Sequence, residues 1–234
     1  MLRPYLLGAA GLVFGSNVRV TVDGDSIDAG YSTAPIATLL AARPALAGAT
    51  FATVAISGQT WAAMTSSATD VDASITTSGK INILVCGEGT NSSGVAGGFR
   101  DGPGIVADAT SYIAARKAAN PKVVIVLRSA LPRSPSDANN AVMNAALNYS
   151  DAYYAANWRT VGATRFANMR GIPAFAHDGF SLENFQAYES MWATADGASG
   201  TGIYVHPSPT GVAAMVDRIE SALLSLRASE CQIT

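Results

Sequence analysis

Ser26, in Asp23-Gly24-Asp25-Ser26, and His206, in Val205-His206-Pro207-Ser208-Pro209-Thr210-Gly211, are the residues whose types best suit catalysis in this sequence. A serine hydroxyl is a poor nucleophile until a neighbouring base takes its proton, and the oxyanion formed by its attack needs hydrogen-bond donors already in place. An imidazole, with an ordinary pKa of about 6.5, fits the role of base near neutral pH. Two further positions could serve the developing charge. Gly58, in Ser57-Gly58, has no side chain to keep a reacting group from its backbone N–H, and Asn91, in Gly89-Thr90-Asn91, carries an amide. The other histidine, His177, precedes Asp178-Gly179 and lacks the proline and helix start that follow His206.

For these residues to meet, several turns of the chain must converge. The strongest pattern is a repeated unit: a β-branched run, a turn rich in Gly, Ser or Asp, then a helical stretch. Strands are predicted over 18–22, 50–56, 80–86 and 122–127, with 172–176 as a weaker fifth. Helices are predicted over 34–46, 105–119 and 137–161, with caps at Asp101 or Asp137, and a last one from 207–210 to about 228. In that last segment Val212, Met215, Val216, Ile219, Leu223 and Leu226 recur at helical spacing, a stripe facing the core. Alternating strand and helix predict a mostly parallel sheet covered on both faces, with its working residues at the carboxyl ends of strands. Those ends carry Gly24-Asp25-Ser26, Ser57-Gly58 and Gly89-Thr90-Asn91.

In this order, the four segments resemble the sequence blocks of the SGNH (GDSL-like) hydrolases. The Gly-Asp-Ser block corresponds to Gly24-Asp25-Ser26, with Ile27 where leucine usually follows. The glycine block resembles Ala55-Ile56-Ser57-Gly58-Gln59-Thr60. The Gly-x-Asn-Asp block resembles Gly89-Thr90-Asn91-Ser92, with serine in place of aspartate, and the histidine block resembles His206-Pro207-Ser208 followed by Gly211. Each block alone is commonplace; together they span residues 18–228. The resemblance implies an α/β fold, a flavodoxin-like three-layer α/β/α sandwich with a five-stranded, mostly parallel sheet. It implies one domain over 1–234, with 1–17 as an N-terminal extension and 18–228 as the core. It also implies hydrolysis of carboxylic esters, such as carbohydrate O-acetyl or other short acyl esters, with no metal or organic cofactor. Ser26 would attack the acyl carbon, His206 would accept its proton and later activate water, and Ser26, Gly58 and Asn91 would form the oxyanion hole. The family's aspartate three residues before the histidine is Ile203 here. Asp196 is the first candidate to orient the imidazole and Asp178 the second, with a Ser-His dyad held by a backbone carbonyl as the alternative. The missing acid keeps another reading open, a catalytically weak or inactive binding or structural subunit of a larger surface or phage-type assembly.

Composition narrows the remaining classes. With 234 residues, 49% of them hydrophobic, the chain can bury a sizeable core. Charged residues are 14% and the net charge is -2, which gives no electrostatic reason to bind nucleic acid or an anionic membrane surface. No apolar run approaches the ~20 residues that span a bilayer. The expected partner is a small acyl ester or acylated carbohydrate, with a homo-oligomer or assembly partner left open. Arg3 and the apolar stretch after it hint at a signal peptide, yet Gly8, Gly11 and Gly15 break the stretch, which reads as part of the folded protein. The compartment stays open, an extracellular or virion-associated role included. Cys86, in an apolar run, reads as a small core residue, and pairing with Cys231 stays open. Trp61, Trp158, Trp192, Tyr153, Tyr154 and Tyr188 read first as packing, with Trp61 alternatively at the border of a pocket. Glu88 reads first as a solvated loop carboxylate, with a pocket acid as the alternative, and Arg100, Arg128 and Arg133 read first as ion-pairing residues, with contact to an anionic substrate as the alternative. A flavodoxin-like nucleotide binder is disfavoured because no Gly-rich phosphate loop follows the first strand.

Overall fold

The β-branched runs become strands because their side chains alternate between two apolar layers. The structure, a computed structural model, describes residues 10–31, 33–94, 99–134, 140–193 and 205–234. In chain order the elements are β1 (Val18–Gly24), α1 (Ile36–Ala41), β2 (Thr50–Thr53), α2 (Trp61–Ser66), α3 (Thr69–Ile75) and β3 (Ile81–Gly87), then α4 (Gly102–Ala119), β4 (Val124–Arg128), α5 (Asn140–Asn157), β5 (Arg165–Ala167), α6 (Leu182–Gln186) and α7 (Pro209–Leu224). The strands form one five-stranded sheet in the order β2-β1-β3-β4-β5, and every pairing is parallel.

Val18, Val20 and Val22 of β1, Ile83 and Val85 of β3 and Val124 and Val126 of β4 pack on one side with Ile36 and Leu40 of α1 and Val212, Met215 and Ile219 of α7. The intervening residues Leu84, Cys86, Ile125 and Leu127 face the other way, onto Trp61, Ile75, Tyr112 and Leu147 of α2 to α5. This period of two is what a strand buried on both faces requires, and it gives the three-layer sandwich. Each large aliphatic side chain so buried contributes about 1.5–3 kcal/mol against conformational entropy.

Caps set the helices that matter for the site. Ser208 accepts from the backbone N–H of Gly211 at the start of α7, with Pro209 as its first residue, and Asp101 does the same for Gly104 at the start of α4. The stripe on α7 is buried as its spacing predicts, although the helix ends at Leu224 and Leu226 lies just beyond it.

Several boundaries differ from expectation. Residues 172–176 do not form the fifth strand: Pro173 has no N–H to give a ladder, and Pro173–Phe175 is a 3-10 turn. The edge strand is instead β5, three residues paired with Val126, Leu127 and Arg128. The 34–46 helix splits into α1 and a 3-10 turn at Pro44–Leu46. The strand expected over 50–56 ends at Thr53, and α2 and α3 occupy a stretch where no helix is predicted. Cys86 and Cys231 are both free, so they do not pair. Ahead of β1, Leu12 N–H donates to Leu226 O over 2.9 Å and Gly11 bridges to Arg227, so this part of the N-terminal segment packs along the C-terminal one. Among the described residues no helix is long and apolar enough to cross a membrane.

Candidate active site

β1 stops at Gly24, level with Gly87 of β3, and the chain turns sharply. Ala29 N–H donates to Asp25 O (3.0 Å), Gly30 N–H to Ile27 O (3.2 Å) and Tyr31 N–H to Ser26 O (2.9 Å). Gly30, at φ +89°, closes the turn in a conformation that disfavours side chains. A buried arginine underpins it. Arg128, at the end of β4, donates through Nε and Nη2 to Asp28 and through Nη2 to Asp25 Oδ1 over 3.3 Å. Asp25 Oδ1 also takes the N–H of Ile27 (2.9 Å), and Asp28 Oδ2 takes that of Asp25 (3.3 Å). The two strand-end glycines make room for this cluster: a Cβ on Gly24 would collide with the Asp28 carboxylate, and one on Gly87 with the Arg128 side chain. The glycine of Gly-Asp-Ser is therefore demanded by close approach.

His206 reaches the same place from the other end of the chain. Its carbonyl accepts from Ala193 N–H (2.9 Å), Ser208 N–H donates to Met191 O (2.9 Å) and Ser208 Oγ to Ser190 O (2.5 Å). These bonds clamp the segment ahead of α7 onto residues 190–193. The result is a 2.8 Å hydrogen bond between Ser26 Oγ and His206 Nε2, with Ser26 only 9% exposed. Tyr31 lies flat on the imidazole, ring centroids 3.9 Å apart and planes at 19°.

The other two blocks are tied to this pair. Ile56 N–H donates to Gly24 O over 3.3 Å, so the 54–60 segment runs on beside the end of β1. Gly58 lies in the turn beyond β2 at φ +81°, with nothing within 4 Å of where a Cβ would stand. Asn91 Nδ2 donates to Gln59 O over 2.9 Å, joining the third block to the second.

Glu88 is not a solvated loop carboxylate. It is 1% exposed, and one carboxylate receives donors from both segments: Asn91 N–H (2.6 Å) and Ser92 N–H (3.0 Å) on Oε1, Trp61 N–H (3.2 Å) and the Ser92 hydroxyl on Oε2. Burial pushes its carboxyl from 4.5 up to about 7, with the charge of Asp25 adding to the rise against the hydrogen bonds of Ser92 and Gly89. Asp23 is also pushed up, to about 6, by burial, against its bonds to Tyr112 and Gly24. The folded state thus holds these protons at pH values where the unfolded chain has released them. That stability is full below the ordinary carboxylate range and is lost as pH rises toward 7. For Glu88 the loss is about 3 kcal/mol. We expect urea denaturation to give a higher unfolding free energy at about pH 5 than at about pH 8.5, and Glu88→Gln to flatten the dependence. A wild-type profile that rises across this window would contradict the assignment.

The remaining candidates fall elsewhere. His177 is half-buried, edge-on to Phe185, and takes Gly179 N–H on Nδ1 over 3.1 Å. Burial, with Arg170 nearby, lowers its pKa. It lines a cavity of about 280 Å³ with Asn148, Asp151, Arg170 and Asp178, a lining that includes neither Ser26 nor His206. Asp178 accepts from Phe180 N–H over 2.9 Å. Asp196 and Ile203 lie outside the described residues, as does Asp137. Trp61 is fully buried against Tyr112, and Trp192 packs on Phe175 and Phe185. Arg100 pairs with Asp108, and Arg133 donates to Thr90 O over 3.3 Å. No group of three or more His, Cys, Asp or Glu among the described residues is arranged to hold a metal. Tyr31 is unmarked in the sequence except by its place five residues after Ser26.

The chain matches no protein-family model and no curated protein. Its fold is shared with solved structures of low sequence identity. A lipolytic G-D-S-L family protein from Veillonella parvula aligns at a TM-score of 0.60 and 15% identity, covering 89% of this chain and 100% of that one. A carbohydrate esterase family 3 protein from Talaromyces cellulolyticus aligns at 0.59 and 18% identity, covering 88% and 96%. Axe2, an acetylxylan esterase from Geobacillus stearothermophilus, aligns at 0.58 and 14%, covering 93% and 100%.

Proposed function

From the fold it shares with GDSL hydrolases, we propose that this protein is a serine esterase acting on carboxylic esters, carbohydrate O-acetyl or other short acyl esters in particular. The observation that carries the reading is the 2.8 Å contact between Ser26 Oγ and His206 Nε2, made by residues from opposite ends of the chain. With Nε2 accepting the serine proton, Ser26 Oγ attacks the acyl carbon and the carbonyl oxygen becomes an oxyanion. The backbone N–H groups of Ser26 and Gly58 and the amide of Asn91 stabilise it. An amide nitrogen carries two hydrogens, so the bond from Asn91 to Gln59 O uses one and leaves the other to donate. His206 then returns the proton to the departing alcohol, and an acyl-Ser26 ester remains. A water, deprotonated by the same nitrogen, attacks this ester, and the proton passes from Nε2 to the departing Ser26 oxygen as the acid is released and Ser26 regenerated. The short-acyl preference draws on the acetylxylan and carbohydrate esterases among its structural neighbours. The reading treats residues 18–228 as the catalytic domain.

Fluorophosphonate labelling with hydrolysis of p-nitrophenyl acetate tests the reading. The wild type is expected to take one label per chain and to release p-nitrophenol, and Ser26→Ala to do neither. A folded wild type that does neither would overturn the esterase and leave a non-catalytic subunit with this fold.

A further inference from the structure

We propose that Tyr31 is a positioning residue for His206, a flat wall that fixes the plane of the imidazole at the nucleophile. The inference rests on the esterase reading for its catalytic consequence, though not for its geometry.

The physical problem is orientational. Proton transfer needs the Nε2 lone pair aimed at Ser26 Oγ, so the plane of the ring matters as well as its distance. A flat contact against the ring constrains that plane. The Tyr31 ring supplies it, 3.9 Å from the imidazole centroid and within 19° of parallel. The wall is anchored to the nucleophile itself, because Tyr31 N–H donates to the carbonyl of Ser26. Gly30 makes this possible: at φ +89°, and packed so that a Cβ would meet Pro35 N at 2.6 Å, it lets the chain double back within five residues of Ser26. One turn therefore presents both the serine and the surface against which its base lies. The contact also suits the charge that the mechanism creates, since the imidazolium formed during attack sits over the negative face of an aromatic ring. Tyr31 is 53% exposed, far more than core packing needs, so its removal should perturb the fold little.

Two measurements test this, one of them independent of catalysis. In NMR spectra, ring protons of His206 stacked on an aromatic face are shielded. Tyr31→Leu is expected to abolish that upfield shift and Tyr31→Phe to keep it, with His177, the other histidine, as internal reference. In kinetics with p-nitrophenyl acetate, Tyr31→Leu is expected to lower kcat about tenfold with KM within about twofold, and Tyr31→Phe to restore most of the loss. The proposal fails if the shielding is absent from the wild type. It also fails if Tyr31→Leu keeps the wild-type kcat, or if Tyr31→Phe falls as far as Tyr31→Leu. A rise in KM at unchanged kcat would make Tyr31 a substrate contact and also overturn it. An inactive wild type that nonetheless shows the shielded ring would defeat the esterase reading and leave the stacking intact.

Discussion

Arg128→Met is expected to destabilise the fold by about 3–5 kcal/mol, because it leaves buried carboxylates without their cation. Arg128 is 1% exposed, and so is the side chain of each carboxylate it holds, Asp25 and Asp28. Burial alone would lower the guanidinium pKa, but the charges of Asp28 and Asp25 more than reverse that, so Arg128 stays charged. Methionine fills most of the volume and supplies no donor. The two aspartates must then take up protons or unfold the turn, and the loss should deepen as pH rises. The Arg128→Met, Asp28→Leu double variant should recover part of the loss, since replacing an ion pair by apolar groups is far cheaper than orphaning one member. Urea denaturation of the three variants measures this. A loss below about 1 kcal/mol in Arg128→Met would show that the cluster is solvated and does not anchor the Ser26 turn.

That cluster marks the limit of what the sequence discloses. β1, β3 and β4 are legible because a strand covered on both faces favours a run rich in β-branched or apolar residues, as in Val18-Arg19-Val20-Thr21-Val22, where Arg19 stands among four β-branched residues, and in 123–127. β5 is hidden for the converse reason. Arg165-Phe166-Ala167 is a short edge strand paired on one side, whereas the more apolar 172–176 carries a proline that cannot join a ladder. α2 and α3 are short and rich in Ala, Ser, Thr and Asp, and their helicity comes from packing Trp61, Met64, Val71 and Ile75 against the sheet. At the site, Ser26, Gly58, Asn91 and His206 are visible as four blocks in order, but no spacing rule joins a serine to a histidine on the far side of four strands. The burial of Glu88 and Arg128 leaves no local trace: a charged residue after an apolar run looks the same whether it faces water or a partner 100 residues away, as Asp28 is from Arg128.

Ser26→Ala and His206→Ala are each expected to lower kcat for p-nitrophenyl acetate by about four orders of magnitude or more. The double variant should be no worse than the poorer single variant, within about threefold. The expectation follows from the proposed mechanism and the 2.8 Å contact: if Nε2 takes the serine proton, neither group has chemistry to do without the other. Alanine at 26 leaves the imidazole nothing to deprotonate but water, and alanine at 206 leaves a hydroxyl too weakly acidic to attack. On the proposed mechanism, what survives should be the smaller contribution of the oxyanion donors, since neither substitution touches the bond between Asn91 and Gln59 O. Asn91→Ala on the double-variant background should therefore still lower the residual rate. In the wild type Asn91→Ala is expected to lower kcat about a hundredfold to a thousandfold, the usual cost of one oxyanion donor. Independent, additive losses at 26 and 206 would mean that the two residues do not act as a unit, and the dyad would have to be abandoned whatever the distance between them.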